Sequence, residues 1–119
     1  MRRDFTYVED LVEGIARLTA TPPGKTPVDP KDSLSPVAPF RVVNIGNGAP
    51  VQLTDFIAAI EAATGRTATR NLMPMQPGDV PATWADASLI TALVGPLPRT
   101  DIRDGVAKFV DWYRGWNRA

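Results

Sequence analysis

Pro22, Pro23, Pro27, Pro30, Pro36 and Pro39 all fall in one stretch, TPPGKTPVDPKDSLSPVAP, residues 21–39. Each proline fixes φ near −65° and removes a backbone N–H donor, so neither a helix nor a central strand can run through the stretch. Few large apolar side chains are present to pack it. The stretch is therefore read as a flexible Pro-rich loop whose plainest role is that of a surface linker. A loop this long is uncommon inside a compact domain.

Hydrophobic spacing assigns the elements. RRDFTYV, residues 2–8, alternates and is rich in β-formers, which predicts a short strand. Val8, Leu11, Val12, Ile15 and Leu18 then recur at helical spacing. Glu9 and Asp10 stand in the first turn, where the helix dipole favours negative charge. Beyond the loop, FRVVNIGNG (40–48) predicts a buried strand ending in a glycine turn. TDFIAAIEAATG (54–65) predicts a helix with Thr54 as N-cap, Phe56, Ile57 and Ile60 as core face, and Gly65 as its stop. TATRNLMPM (67–75) predicts another strand, running into the stiff loop MQPGDVPATWAD (75–86). Asp86 is expected to cap a helix over ASLITALVG, with Gly95 and Pro96 ending it. In the last element Ile102, Val106, Phe109, Val110, Tyr113 and Trp116 form one stripe behind a Thr100 or Asp101 cap, and its aromatics are expected to pack in the core.

Composition removes several function classes. The chain's 119 residues fit one domain, 1–119, and 44% hydrophobic residues supply a modest core. Thirteen Lys and Arg balance thirteen Asp and Glu, which argues against a nucleic-acid or membrane-surface partner. Without cysteine or histidine there is no disulfide, no Cys nucleophile, no zinc site of the usual ligands and no His-based triad. No run approaches the length of a membrane span. Asp4, Glu9, Asp10 and Glu13 interrupt any signal-like start, so a cytoplasmic protein is expected.

Known phosphate and redox motifs are incomplete. GNGAPV (46–51) begins like a Gly-x-Gly fingerprint, yet its third position is Val51 and Ala49-Pro50 delay the helix. Tyr7 precedes Leu11 by four residues and Tyr113 precedes Asn117, so neither makes the Tyr-x-x-x-Lys pair that transfers a proton beside a nicotinamide. No serine or threonine has a histidine to activate it. On these residues alone the chain reads as a binding or accessory unit of α/β type.

RRDFTYVEDLVEGIARL, VVNIGNGAPVQLTDFIAAIE, LMPMQPGDVPATWADAS and IRDGVAKFVDWYRGW occur in an order and spacing that strongly resemble the C-terminal third of NAD-dependent nucleotide-sugar epimerases/dehydratases. These are members of the extended short-chain dehydrogenase/reductase family, and the resemblance is closest to UDP-glucuronate epimerases. It covers nearly everything outside residues 21–39. It implies an α/β fold with a small mixed sheet and about four helices, the C-terminal substrate-binding part of such an enzyme. The Rossmann domain that carries NAD and the catalytic tyrosine and lysine would be missing from these residues, so no cofactor is expected in this chain although NAD serves the intact enzyme. In the resembled reaction, hydride passes to NAD, the keto-sugar rotates, and hydride returns to the other face.

Three residues carry over by motif position. Arg3 leads the Arg-Asp-Phe pattern and would contact the diphosphate of a UDP-sugar, where a planar guanidinium donates to two oxygens at once. Asp79, in the Pro-Gly-Asp pattern, would accept hydrogen bonds from the ribose hydroxyls. Gln76 stands where galactose-type epimerases tend to carry arginine, a departure that points to a uronate-type sugar and leaves an uncharged amide at the phosphate. Asp10, Asn44, Asn47 and Trp84 are read as structural residues.

Two expectations follow. In the first, the chain is the nucleotide-sugar-binding part of a UDP-sugar epimerase, inactive alone, with an exposed apolar face through which it could self-associate. A first strand that begins almost at residue 1 with no leader favours this. In the second, it is a free-standing binding or interaction module derived from such an enzyme.

Overall fold

A computed structural model describes residues 1–118. Its elements, in chain order, are β1 (Arg2–Arg3), α1 (Val8–Thr19), β2 (Val51–Gln52), α2 (Leu53–Thr64), α3 (Ser88–Val94) and α4 (Ile102–Arg118). This is the small mixed α/β arrangement with four helices that the sequence predicts. β1 pairs antiparallel with β2, Arg2 opposite Gln52 and Arg3 opposite Val51. On its other side β1 makes a parallel bridge to the 80s: Arg2 N–H donates to the Pro81 carbonyl at 2.9 Å, and Thr83 N–H donates to Arg2 at 3.2 Å. Two residues of strand thus join the start of α2 to the Trp84 loop.

The helices pack in two pairs. α2 lies on α4, where Ala59, Val106 and Val110 are buried and Phe56, Ala63 and Ile102 close over them. α1 lies beside α3, with Gly14 at the contact. A Cβ at position 14 would come within 2.9 Å of Leu97 Cδ1 and 3.3 Å of Ile90 Cδ1, so glycine allows the close approach. Ile90 is the most deeply buried side chain, at 1% exposure. A buried carboxylate ties the pairs together. Asp10 accepts hydrogen bonds from the Thr100 N–H (2.7 Å) and hydroxyl (2.9 Å), just ahead of α4. Asp10 is thus structural: it stands in the first turn of its own helix and also steadies the entry to α4.

Several elements differ from the sequence reading. The first strand stops at Arg3; residues 4–7 lie outside any ladder, and α1 begins at Val8. Residues 40–48 and 67–75 form no strand; a ladder needs a partner, and no described segment pairs with either. α2 begins one residue before Thr54, with the Leu53 N–H bonded to the Met1 carbonyl at 3.1 Å and no side-chain cap on Gln52. Gly65 does end it in the left-handed region (φ 69°). Asp86 accepts from the Ser88 N–H at 3.0 Å, and Asp101 from that of Arg103 at 2.9 Å.

The largest departure concerns which faces are buried. α1 turns its Asp10–Gly14 side inward and leaves Val8, Val12 and Ile15 more than half exposed. On α4, Phe109, Trp112, Tyr113 and Trp116 contact one another along the surface, Phe109 stacked on Tyr113 and Trp112 on Trp116, instead of entering a core. The periodicity is real, but among the described residues nothing covers these stripes. The radius of gyration, 18.0 Å, accordingly exceeds the roughly 13.5 Å of a compact domain of this length. No helix is long and apolar enough to cross a membrane.

Residues 21–39 contain no helix or strand. Near their end Asp32 gathers four donors: the N–H groups of Val28 (2.9 Å) and Leu34 (3.0 Å), and Arg41 Nε and Nη2 (both 2.8 Å). Both charged side chains are shielded from solvent, Asp32 entirely. The Arg41 guanidinium holds the Asp32 carboxyl down at about 2. Next to this pair, the Ser33 hydroxyl donates to the Val42 carbonyl and accepts from its N–H, standing in for a strand ladder.

Candidate functional site

β1 delivers Arg3 to the loop that follows residue 75. Its Nη1 donates to the Val80 carbonyl at 3.0 Å and to the Arg2 carbonyl at 2.9 Å. Among the described residues, the remaining guanidinium N–H groups have no protein acceptor. Such groups can still grip an anion.

Val80 directly follows the stiff turn. Gln76 C=O accepts from the Asp79 N–H at 3.1 Å, and Gly78 between them has φ 92°. With Pro77 at the second position and glycine at the third, this is the chemistry of a type II turn. Asp79 is therefore rigid because its own N–H closes the turn and the Gly78 backbone permits it. Arg3 clasps the chain one residue further on. Gln76 and Asp79 are both exposed on this turn.

Beside it opens a cleft of about 380 Å³ lined by Arg3, Asp4, Thr6, Asn44, Trp84 and Asp86, among others. Of the three residues singled out by motif position, Arg3 borders this cleft, and Gln76 and Asp79 do not line it. Its walls come from three distant segments joined by polar contacts. Asp4 Oδ2 accepts from the Gly48 N–H (2.9 Å) and the Ala85 N–H (3.0 Å). Thr6 Oγ1 accepts from the Asn47 N–H at 3.2 Å. Gly46 packs so closely that a Cβ there would meet Ala85 Cβ at 2.5 Å. The Ser88 hydroxyl and N–H hold the Asp86 carboxyl below its usual range, so this wall carries a negative charge at neutral pH. Trp84 is mostly exposed and borders the cleft rather than packing over the loop.

Sequence reasoning missed Asp4 and Thr6 as the joints of this cleft. The available signal was their place directly after Arg3 in RRDFT, but nothing local says which backbone a side chain will reach. The sequence predicts Asn44 and Gly46 in a strand and its turn; in the structure they are wall residues. Elsewhere, an apolar groove of about 420 Å³ runs between residues 5–8, α2 and α4, floored by Phe5 stacked on Phe56 at 4.1 Å. Among the described residues no group of three His, Cys, Asp or Glu could hold a metal ion.

No protein-family model matches the chain. The sequence is 50% identical over 117 residues to a probable UDP-glucuronate 4-epimerase of Rhizobium meliloti, covering 95% of this chain and 34% of that protein. It is also 50% identical over 117 residues to protein CapI of Staphylococcus aureus, with 95% and 35% covered. The chain spans about a third of the length of the curated relatives it matches. Among solved structures, UDP-glucuronic acid 4-epimerase from Bacillus cereus with NAD superposes with a TM-score of 0.68 at 26% identity, over 96% of this chain and 31% of that one. A variant of that enzyme with UDP-4-deoxy-4-fluoro-glucuronic acid and NAD gives 0.69 at 27% identity, over 95% and 32%. The part matched is the C-terminal part of these enzymes.

Proposed function

We propose that this chain, related over nearly all its length to the C-terminal part of UDP-glucuronate 4-epimerases, is the nucleotide-sugar-binding part of an enzyme of that kind. The observation that carries the reading is the Arg3 clasp. It joins a cation with unused donors to the turn that holds Gln76 and Asp79, at the edge of a polar cleft. In this reading Arg3 grips the diphosphate, Gln76 adds an uncharged hydrogen bond there, and Asp79 accepts from the ribose hydroxyls. The sugar is of the UDP-glucuronate/UDP-galacturonate type, which Gln76 in place of an arginine favours. The cytoplasm is the compartment proposed.

The residues present do not fit NAD. The Gly46–Gly48 turn spends the Gly48 N–H on Asp4, and α2 begins only at Leu53, so no helix N-terminus follows the turn to receive a pyrophosphate. With no Tyr-x-x-x-Lys either, these 119 residues bind but do not epimerise. The bare stripes of α1 and α4 are read as surfaces that an NAD-binding Rossmann part covers in the longer enzymes, and through which this chain could otherwise self-associate.

Titration of the purified chain with UDP and with UDP-glucuronate tests this. Binding of both is expected. Arg3→Ala should weaken it about tenfold or more, through loss of a charge-assisted contact, and Asp79→Asn by less. No UDP-galacturonate should form when NAD is added. Absence of UDP binding, or indifference to Arg3→Ala, would overturn the reading.

A further inference from the structure

We propose that Asp4 is the positioning residue of the cleft, a carboxylate that holds two remote walls in register beside Arg3 without itself touching the ligand. The inference rests on the reading of the cleft as a nucleotide-sugar site. Three observations converge on it.

First, one oxygen does two jobs. Asp4 Oδ2 accepts from Gly48 and from Ala85, residues 44 and 81 positions away in sequence, and both flank segments that line the cleft. Second, the two walls meet closely at Gly46. Gly46 sits against Ala85 and against Asp4 Oδ2, where a Cβ would lie 2.5 Å and 3.0 Å away, so the contact is a close backbone approach with no side chain to wedge it. The Thr6 bond to Asn47 is the only further tie from the 4–6 segment to this wall among the described residues. Third, Asp4 Oδ1 is buried and has no hydrogen-bond partner among the described residues. A carboxylate oxygen kept from water unpaired is costly. The fold accepts that cost at the residue adjoining Arg3, where its two amide contacts fix the chain that carries the guanidinium. A shift of Asp4 would move Arg3 with it, since consecutive residues of an extended segment share one backbone path.

The test compares Asp4→Asn with Asp4→Ala in this chain, by two readouts. Amide hydrogen exchange at Gly48 and Ala85 reports the clasp with or without ligand. UDP titration, followed by Trp84 fluorescence with Trp84→Phe as control, reports the site. Asparagine retains one oxygen that can receive both N–H groups. Asp4→Asn should therefore keep both amides protected and UDP affinity within about threefold of the parent. Asp4→Ala should release both amides and lower affinity about tenfold. Retained protection in Asp4→Ala overturns the proposal. So does an Asp4→Asn variant that binds as poorly as Asp4→Ala while its amides stay protected, because the unpartnered oxygen would then act on the ligand directly. If Asp4→Ala loses its helices, Gly46→Ala opens the same joint from the opposite wall, and undiminished UDP affinity there overturns the proposal. A parent chain that ignores UDP, with both amides released by Asp4→Ala, leaves the clasp standing and removes the nucleotide-sugar reading instead.

Discussion

The helix pairs and the cleft are held by different forces. Between α2 and α4, and between α1 and α3, small apolar surfaces close on each other around Ala59, Val106, Val110 and Ile90. Around the cleft, segments from residues 3–6, 44–48 and 83–86 are joined by carboxylate and hydroxyl oxygens that accept backbone N–H groups, two of them on Asp4 Oδ2 alone. Apolar burial is non-directional and tolerates small shifts. A hydrogen bond has fixed partners and a narrow range of geometry. The helix pairs should therefore decide whether the chain folds, and the polar joints should decide what shape the cleft takes.

Three changes would break or sharpen that division. The largest effect belongs to Ile90→Ala, which empties the most buried position of the α1–α3 contact. A loss of about 3 kcal/mol is expected in denaturant unfolding, with UDP affinity of the remaining folded chain little changed. An affinity loss at constant stability would put the cleft under the control of the helices and erase the distinction. Gly46→Ala comes next. Its Cβ must displace Ala85, so about 1–3 kcal/mol of stability should go. Here affinity should fall more than melting does, the reverse of Ile90→Ala.

The smallest effect concerns the Asp32–Arg41 pair, a polar joint at the end of the Pro-rich loop. Its folded carboxyl pKa is lowered to about 2, below the ordinary value of an unfolded aspartate. Its stabilising contribution is then fully present above about pH 4 and is lost as pH falls toward 2. Amide exchange at Val28 and Leu34, whose N–H groups Asp32 accepts, should stay slow at pH 4 and quicken near pH 2. Quickening already at pH 5 would mean that the pair does not hold the loop.

Local signals made the helices legible. Stripes at helical spacing located α1, α2 and α4, the Gly95-Pro96 stop located α3, Gly65 ended α2, and the six prolines kept residues 21–39 free of helix and strand. Of the strands only the first was legible, and only at its start, Arg2–Arg3. Residues 40–48 and 67–75 have strand-like composition, but a strand exists only when another segment supplies its hydrogen bonds, and local sequence does not specify that partner. The site was legible in part. Arg3 and the Gln76–Asp79 turn were singled out, and the structure brings them together through Val80. Asp4 stood beside Arg3 and passed unnoticed, since its role depends on amides 44 and 81 residues away.

By itself, then, the sequence determined what is local: where the chain coils, where Pro77 and Gly78 force a turn, and which chemistry is impossible without cysteine or histidine. It also determined which residues form apolar stripes. Only the tertiary structure decided which side of each stripe is covered. α1 buries Asp10 and Gly14 while Val8, Val12 and Ile15 stay bare, and α4 keeps its aromatics on the surface. The physical reason is that periodicity fixes directions around one helix axis, whereas burial depends on what the rest of the chain brings within a few ångströms of it.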